Sequence, residues 1–110
     1  MTVDFIANGQ KFIALNGGPL FQFNESISFV VNCKTQKEID YYWKKLTAQG
    51  GREVQCGWLR DKFGISWQIV PAGFQKMMDG KNKEGSRRAF SAMFKMKKFE
   101  IAKLEKAFRG

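Results

Sequence analysis

A chain of 110 residues, 44% hydrophobic and 15% aromatic, can bury one core and is too short for two, so a single domain over 1–110 is expected. Its apolar runs are only a few residues long, well short of a membrane span, and its first residues lack the regions of a signal peptide. A soluble, cytoplasmic protein without a membrane partner is the expectation. Cys33 and Cys56 stand in no metal-ligand spacing and the chain has no histidine, so buried thiols are expected before reactive ones.

The net charge of +9 is unevenly placed: residues 1–70 carry eight Lys/Arg against six Asp/Glu, and residues 71–110 carry eleven against four. In that tail Arg87, Arg88, Lys95, Lys97, Lys98, Lys103, Lys106 and Arg109 alternate with Phe90, Met93, Phe94, Ile101, Leu104 and Phe108. Spacings of three and four put the apolar residues on one helix face and most charges on the other, which predicts a solvated basic face. Nucleic acid is not the expected partner. Only weak, salt-sensitive, non-specific binding would follow from charge alone.

In chain order, Thr2–Ala7 and Gln10–Asn16 are extended runs joined by Asn8-Gly9, the pair that best tolerates the two positive φ angles of a type I′ hairpin turn. In that register Phe5 faces Phe12 and Val3 faces Ala14. Gly17-Gly18-Pro19 ends the hairpin. A loop leads to a strand over Ser26–Cys33, and Thr35-Gln36-Lys37-Glu38 fits a capping box that starts a helix running to about Gln49. The predicted apolar stripe of this helix is Ile39, Tyr42, Trp43 and Leu46, with Gly50-Gly51 beyond its end. Three extended pieces follow, Arg52–Gln55, Cys56–Arg60 and Ile65–Val70, the last two joined by a turn over Asp61-Lys62-Phe63-Gly64 and closed by Pro71. Helices are predicted near Phe74–Met78, Glu84–Lys97 and Glu100–Arg109. The fold class is α+β: a hairpin, a β-α-β-β-β unit, then helices.

Three segments carry a resemblance: Asn16-Gly17-Gly18-Pro19, Phe29-Val30-Val31-Asn32-Cys33, and the run from Cys56-Gly57-Trp58-Leu59-Arg60 through Ser66-Trp67-Gln68-Ile69-Val70-Pro71. Together they resemble the PhnB-like branch of the vicinal-oxygen-chelate, or glyoxalase and bleomycin-resistance, superfamily. The resemblance implies paired βαβββ modules curving around a shared cavity. Residues 1–18 would be the closing hairpin of the first module, 26–71 the second module, and 72–110 a helical tail. On that pattern the opening part of the first module is missing, so Met1 would correspond to an internal methionine of a longer family member, and a homodimer is expected to cover the open edge. Some relatives are labelled demethylubiquinone methyltransferases, but nothing here resembles the Gly-rich strand-to-helix turn of a Rossmann-type cofactor site.

The resemblance also implies metal-ligand positions, and these fall on Asn16, Ser26 and Gln68, with one more in the missing strand. Neutral serine, asparagine and glutamine hold divalent ions poorly. No metal and no cofactor is therefore expected. Alternation along the strands puts Ser26, Ser28 and Val30 on one face, and Ser66, Gln68 and Val70 on one face, opposite the apolar sets. The expected cavity residues are Asn16, Ser26, Ser28, Cys56, Trp58, Ser66 and Gln68, receiving an unidentified small molecule. Trp67 is assigned to the sheet core, while the face of Trp58 stays open. The alternatives are an enzyme using Cys56 or Gln68 with a metal recruited elsewhere, of methyltransferase-, lyase- or dioxygenase-like chemistry, and weak non-specific nucleic-acid binding through the basic tail.

Overall fold

The computed structural model describes residues 1–110. Strands β1 (Thr2–Ala7) and β2 (Gln10–Leu15) form a hairpin, with Phe5 opposite Phe12 and Val3 opposite Ala14 as predicted. Asn8 and Gly9 both take positive φ, 51° and 77°, as the tight turn demands. One face of the ribbon carries Phe5 and Phe12, stacked 5.4 Å apart. The other carries Ile6, Ile13 and Leu15, all exposed to solvent.

The second sheet has the order β3-β6-β5-β4, where β3 is Ser28–Cys33, β4 Arg52–Glu53, β5 Trp58–Arg60 and β6 Ser66–Pro71. β3 and β6 run parallel, Val30 beside Gln68 and Val31 beside Ile69. A parallel pair needs a long crossover, and helix α1 (Gln36–Thr47) with the short antiparallel strands β4 and β5 supplies it.

Helix α1 starts where the sequence predicts, with the Glu38 amide donating to Thr35 Oγ1 at 3.2 Å. The return bond differs from a standard capping box, because Glu38 Oε2 accepts from the Lys34 amide at 3.3 Å. The stripe is narrower than expected. Ile39 and Trp43 are buried and Leu46 is partly buried, but Tyr42 is exposed and packs edge-on to Tyr41.

Ile39 and Trp43 join Cys33, Leu59 and Ile69 in the core, and the far side is completed by Met93, Met96, Phe99 and Leu104. The last four come from helix α3 (Lys83–Met93), helix α4 (Ile101–Arg109) and the segment between them; helix α2 (Phe74–Asp79) precedes both. Burial pushes the Cys33 thiol up from its ordinary value, with Glu38 adding to the effect. Gln36 ties α1 to the chain's end: its Oε1 accepts from the Ile101 amide at 2.8 Å and its Nε2 donates to the Phe99 carbonyl at 2.9 Å. Lys98 reaches Asp40 beside it at 2.7 Å.

Four predicted boundaries are corrected, the first being the helix expected over Glu84–Lys97, which ends at Met93. Ser26 is not in a strand: both its amide and its hydroxyl donate to Asn24 Oδ1, at 2.9 and 2.6 Å, and this local turn delays the strand to Ser28. The extended piece expected at Arg52–Gln55 stops at Glu53. Cys56 also lies outside a strand, held in a turn at φ 58° with the Trp58 amide donating to the Gln55 carbonyl. Its neighbour Gly57, at φ 81°, sits directly under Phe99, and a Cβ there would overlap the Phe99 ring. Asp61 accounts for the turn between β5 and β6. Its Oδ1 accepts from the amides of Phe63 and Ile65, and its Oδ2 accepts from Trp67 Nε1 at 2.9 Å.

An aromatic series joins the hairpin to this body: Phe12 edge-on to Phe29 at 6.2 Å, then Phe29 to Trp67 at 5.3 Å. The radius of gyration is 16.4 Å, against about 13 Å for a compact domain of this length. The projecting hairpin accounts for the difference in kind.

Candidate functional site

Strand alternation divides the second sheet as its sequence suggested. Leu59, Trp67 and Ile69 point toward α1, and Trp58, Gln68 and Val70 point away from it. On the away-facing side a cavity of about 440 Å³ opens between the sheet and the C-terminal helices. The sheet contributes Val30, Asn32, Trp58, Gln68 and Val70, the turn before β5 contributes Cys56, and the helical wall contributes Phe74, Gln75, Phe90 and Met93, with Phe99 from the segment before α4. The volume lies in the range of small-molecule sites.

The polar groups here are few and neutral. Gln68 Nε2 donates to Ser28 Oγ at 2.9 Å across the parallel strand pair, which fixes the amide's orientation. Trp58 lies directly across from Gln68 on β5. Cys56 is positioned by its backbone: its amide donates to the Met96 carbonyl at 2.9 Å, and the Gly57 amide to the Lys97 carbonyl at 2.8 Å. These bonds also anchor the segment that carries Phe99. No Lys, Arg, Asp or Glu lines the cavity.

Of the seven residues expected at the site, Cys56, Trp58 and Gln68 line this cavity, and Ser28 joins through its bond to Gln68. Ser66 shares their face but is buried one row away, beside Ser28 and Arg60. Ser26 stands in the loop turn and Asn16 just beyond the hairpin, its amide on the Met1 carbonyl, and neither lines the cavity. The helical wall was not foreseen. The apolar spacing of Phe90 and Met93 was visible, but nothing in it says which surface they meet.

The residues nearest the implied metal positions, Ser28 and Gln68, offer a hydroxyl and an amide already bonded to each other, a poor donor set for a divalent ion. No three His, Cys, Asp or Glu side chains converge anywhere in the fold. No helix is long and apolar enough to cross a membrane.

A family model described as 3-demethylubiquinone-9 3-methyltransferase matches residues 1–70. Among solved structures, a putative 3-demethylubiquinone-9 3-methyltransferase, PhnB protein, from Bacillus cereus is similar at 33% identity and a TM-score of 0.58. That similarity covers 66% of this chain and 64% of that one, so the chain spans just under two thirds of this relative's length. No curated protein matches. With more than half of the sequence matched and an α+β architecture shared with the PhnB structure, the chain belongs to the PhnB-like, 3-demethylubiquinone-9 3-methyltransferase family.

Proposed function

We propose that this protein binds an uncharged small molecule in the cavity over Gln68 and Trp58, without a metal ion. The supporting observation is the lining: in a chain that is 26% charged, a cavity of about 440 Å³ carries no charged side chain. An ionic ligand would lose its hydration there without gaining a partner. An apolar body against Phe74, Phe90 and Phe99, with one polar edge toward Gln68, fits what is present. We assign binding rather than a reaction, because the lining holds no carboxylate or amine and the chain no histidine to serve as general acid or base. The methyltransferase description belongs to the family and to its PhnB relative. We further propose a cytoplasmic location, in keeping with two free cysteines, and a homodimer in which a second copy covers the exposed Ile6, Ile13 and Leu15 of the hairpin.

Thermal-shift screening of neutral and charged compounds tests the binding reading. Hits should be predominantly neutral, should be lost in Gln68→Ala and in Val30→Trp, and should survive in Ser26→Ala. Hits indifferent to both cavity variants, or one transition-metal ion per chain that is lost on Gln68→Ala, would overturn it.

A further inference from the structure

A larger cavity lies elsewhere, in the part of the chain beyond the family match. It is a groove of about 600 Å³ between α3 and α4. Its floor is Ala92, Met96 and Ala107, and its cationic lining is Arg87, Arg88, Lys95 and Lys103. Only one carboxylate lines it, Glu100, which pairs with Lys103 at 3.1 Å.

Two of the cations are free of carboxylates in different ways. Arg88 is fixed in place: its Nε donates to the Ala107 carbonyl and its Nη2 to the Phe108 carbonyl, both at 2.8 Å. These are the last carbonyls of α4, which orient the guanidinium but supply only a partial negative charge, and its Nη1 donors remain unspent. Close approach of the two helices makes this possible, since Gly85 of α3 leaves no room for a Cβ against the Phe108 carbonyl. Lys95 enters no ion pair at all, and Arg87 has only an exposed contact with Glu84 at 3.4 Å.

We propose that this groove binds an organic phosphate, a small molecule whose doubly charged head is held by Arg88, Lys95 and Arg87 while its carbon body rests on Ala92, Met96 and Ala107. A fixed guanidinium with spare donors suits a phosphate oxygen, and flexible cations at the rim can close on the rest. A small ligand fits better than a nucleic acid because the cations do not form a continuous track. Glu84 and Glu100 interrupt them, and Lys98 is committed to Asp40.

Isothermal titration calorimetry with ADP and with inorganic pyrophosphate is the test, beside a short random DNA duplex. ADP should bind saturably at one per chain, and more tightly than pyrophosphate because only ADP has a body for the apolar floor. Lys95→Glu and Arg87→Glu should each weaken it about tenfold, the loss of one charge-assisted contact. Lys106→Glu makes the same charge change outside the groove and should leave affinity within about twofold. Glu100→Gln should tighten binding. Failure of either probe to saturate, or an equal loss from Lys106→Glu, overturns the groove. Tighter, steeply salt-dependent binding of the duplex would replace it with a diffuse nucleic-acid surface.

Discussion

Of the twelve strand residues in the hairpin only Phe12 is even half-buried, whereas every residue of β6 is buried or half-buried. Both regions are well-formed β structure, but they owe it to different causes. The hairpin's register follows from two residues at its turn, Asn8 and Gly9, and needs no core. The second sheet owes its stability to what packs on it, with Ile39 and Trp43 of α1 on the face of Leu59 and Ile69. An isolated two-stranded ribbon is marginal in water. The hairpin therefore depends on its aromatic link to Phe29, or on a partner, in a way the sheet does not.

The contrast can be pressed from both sides, and the largest effect is expected in the body. Gly57→Ala combines an unfavourable positive φ with overlap of the buried Phe99 ring, and should lower unfolding free energy by about 3 kcal/mol. Ile13→Ala, on the hairpin's exposed face, should change it by less than about 0.5 kcal/mol. Urea titrations of the two variants measure both, and a comparable loss from each would erase the distinction. A smaller effect is expected at the junction. Phe12→Ala removes the edge-on contact with Phe29, worth about 1 kcal/mol. Hydrogen exchange should then speed up across Thr2–Leu15 while β6 keeps its protection. If the proposed pairing of copies is correct, Ile6→Asp with Ile13→Asp should turn a dimer into a monomer in sedimentation velocity without moving the unfolding midpoint of the sheet.

The smallest effect concerns pH. Hydrogen bonds from Lys98, and secondarily from Gln36, hold the Asp40 carboxyl below its ordinary range. A depressed folded-state value means that the contribution is present above the unfolded carboxylate's value, about 3.9, and disappears as pH falls through the folded one. The difference in melting temperature between the wild-type chain and Asp40→Asn should be constant near neutrality and close below about pH 4. Because Asp40 is half exposed, the difference should also shrink with added salt. A gap that persists into acid would assign the effect to packing.

What could be read in advance divides along the same physical line. Features fixed by neighbouring residues were legible: the Asn8-Gly9 turn, the Phe5–Phe12 register, the Thr35 cap and the Asp61 turn. Alternation then gave Trp67 to the core and Gln68 to the cavity. It failed at Ser26, where the run of alternating residues looked like strand but Asn24 captured both donors. It failed again at Cys56, whose left-handed backbone is imposed by bonds to Met96 and Lys97, distant in the chain. Tyr42 shows the same limit on a helix, because spacing marks it as apolar but only the width of the facing sheet decides whether it is covered. The helical wall of the cavity depends wholly on docking, so Phe74 and Phe99 could not be assigned to it from their own surroundings.

The clamp made by Gln36 carries a consequence for the order of events during synthesis. Its partners, Phe99 and Ile101, are made 63 and 65 residues after it, when β3 and α1 have long been complete. An emerging chain can form the hairpin and wind α1 by local contacts, but β3 waits for β6, and the amide of Gln36 waits longer still. Until α4 emerges, Ile39 and the thiol of Cys33 remain uncovered on that flank, so the nascent chain is most exposed to aggregation between the synthesis of β6 and that of α4.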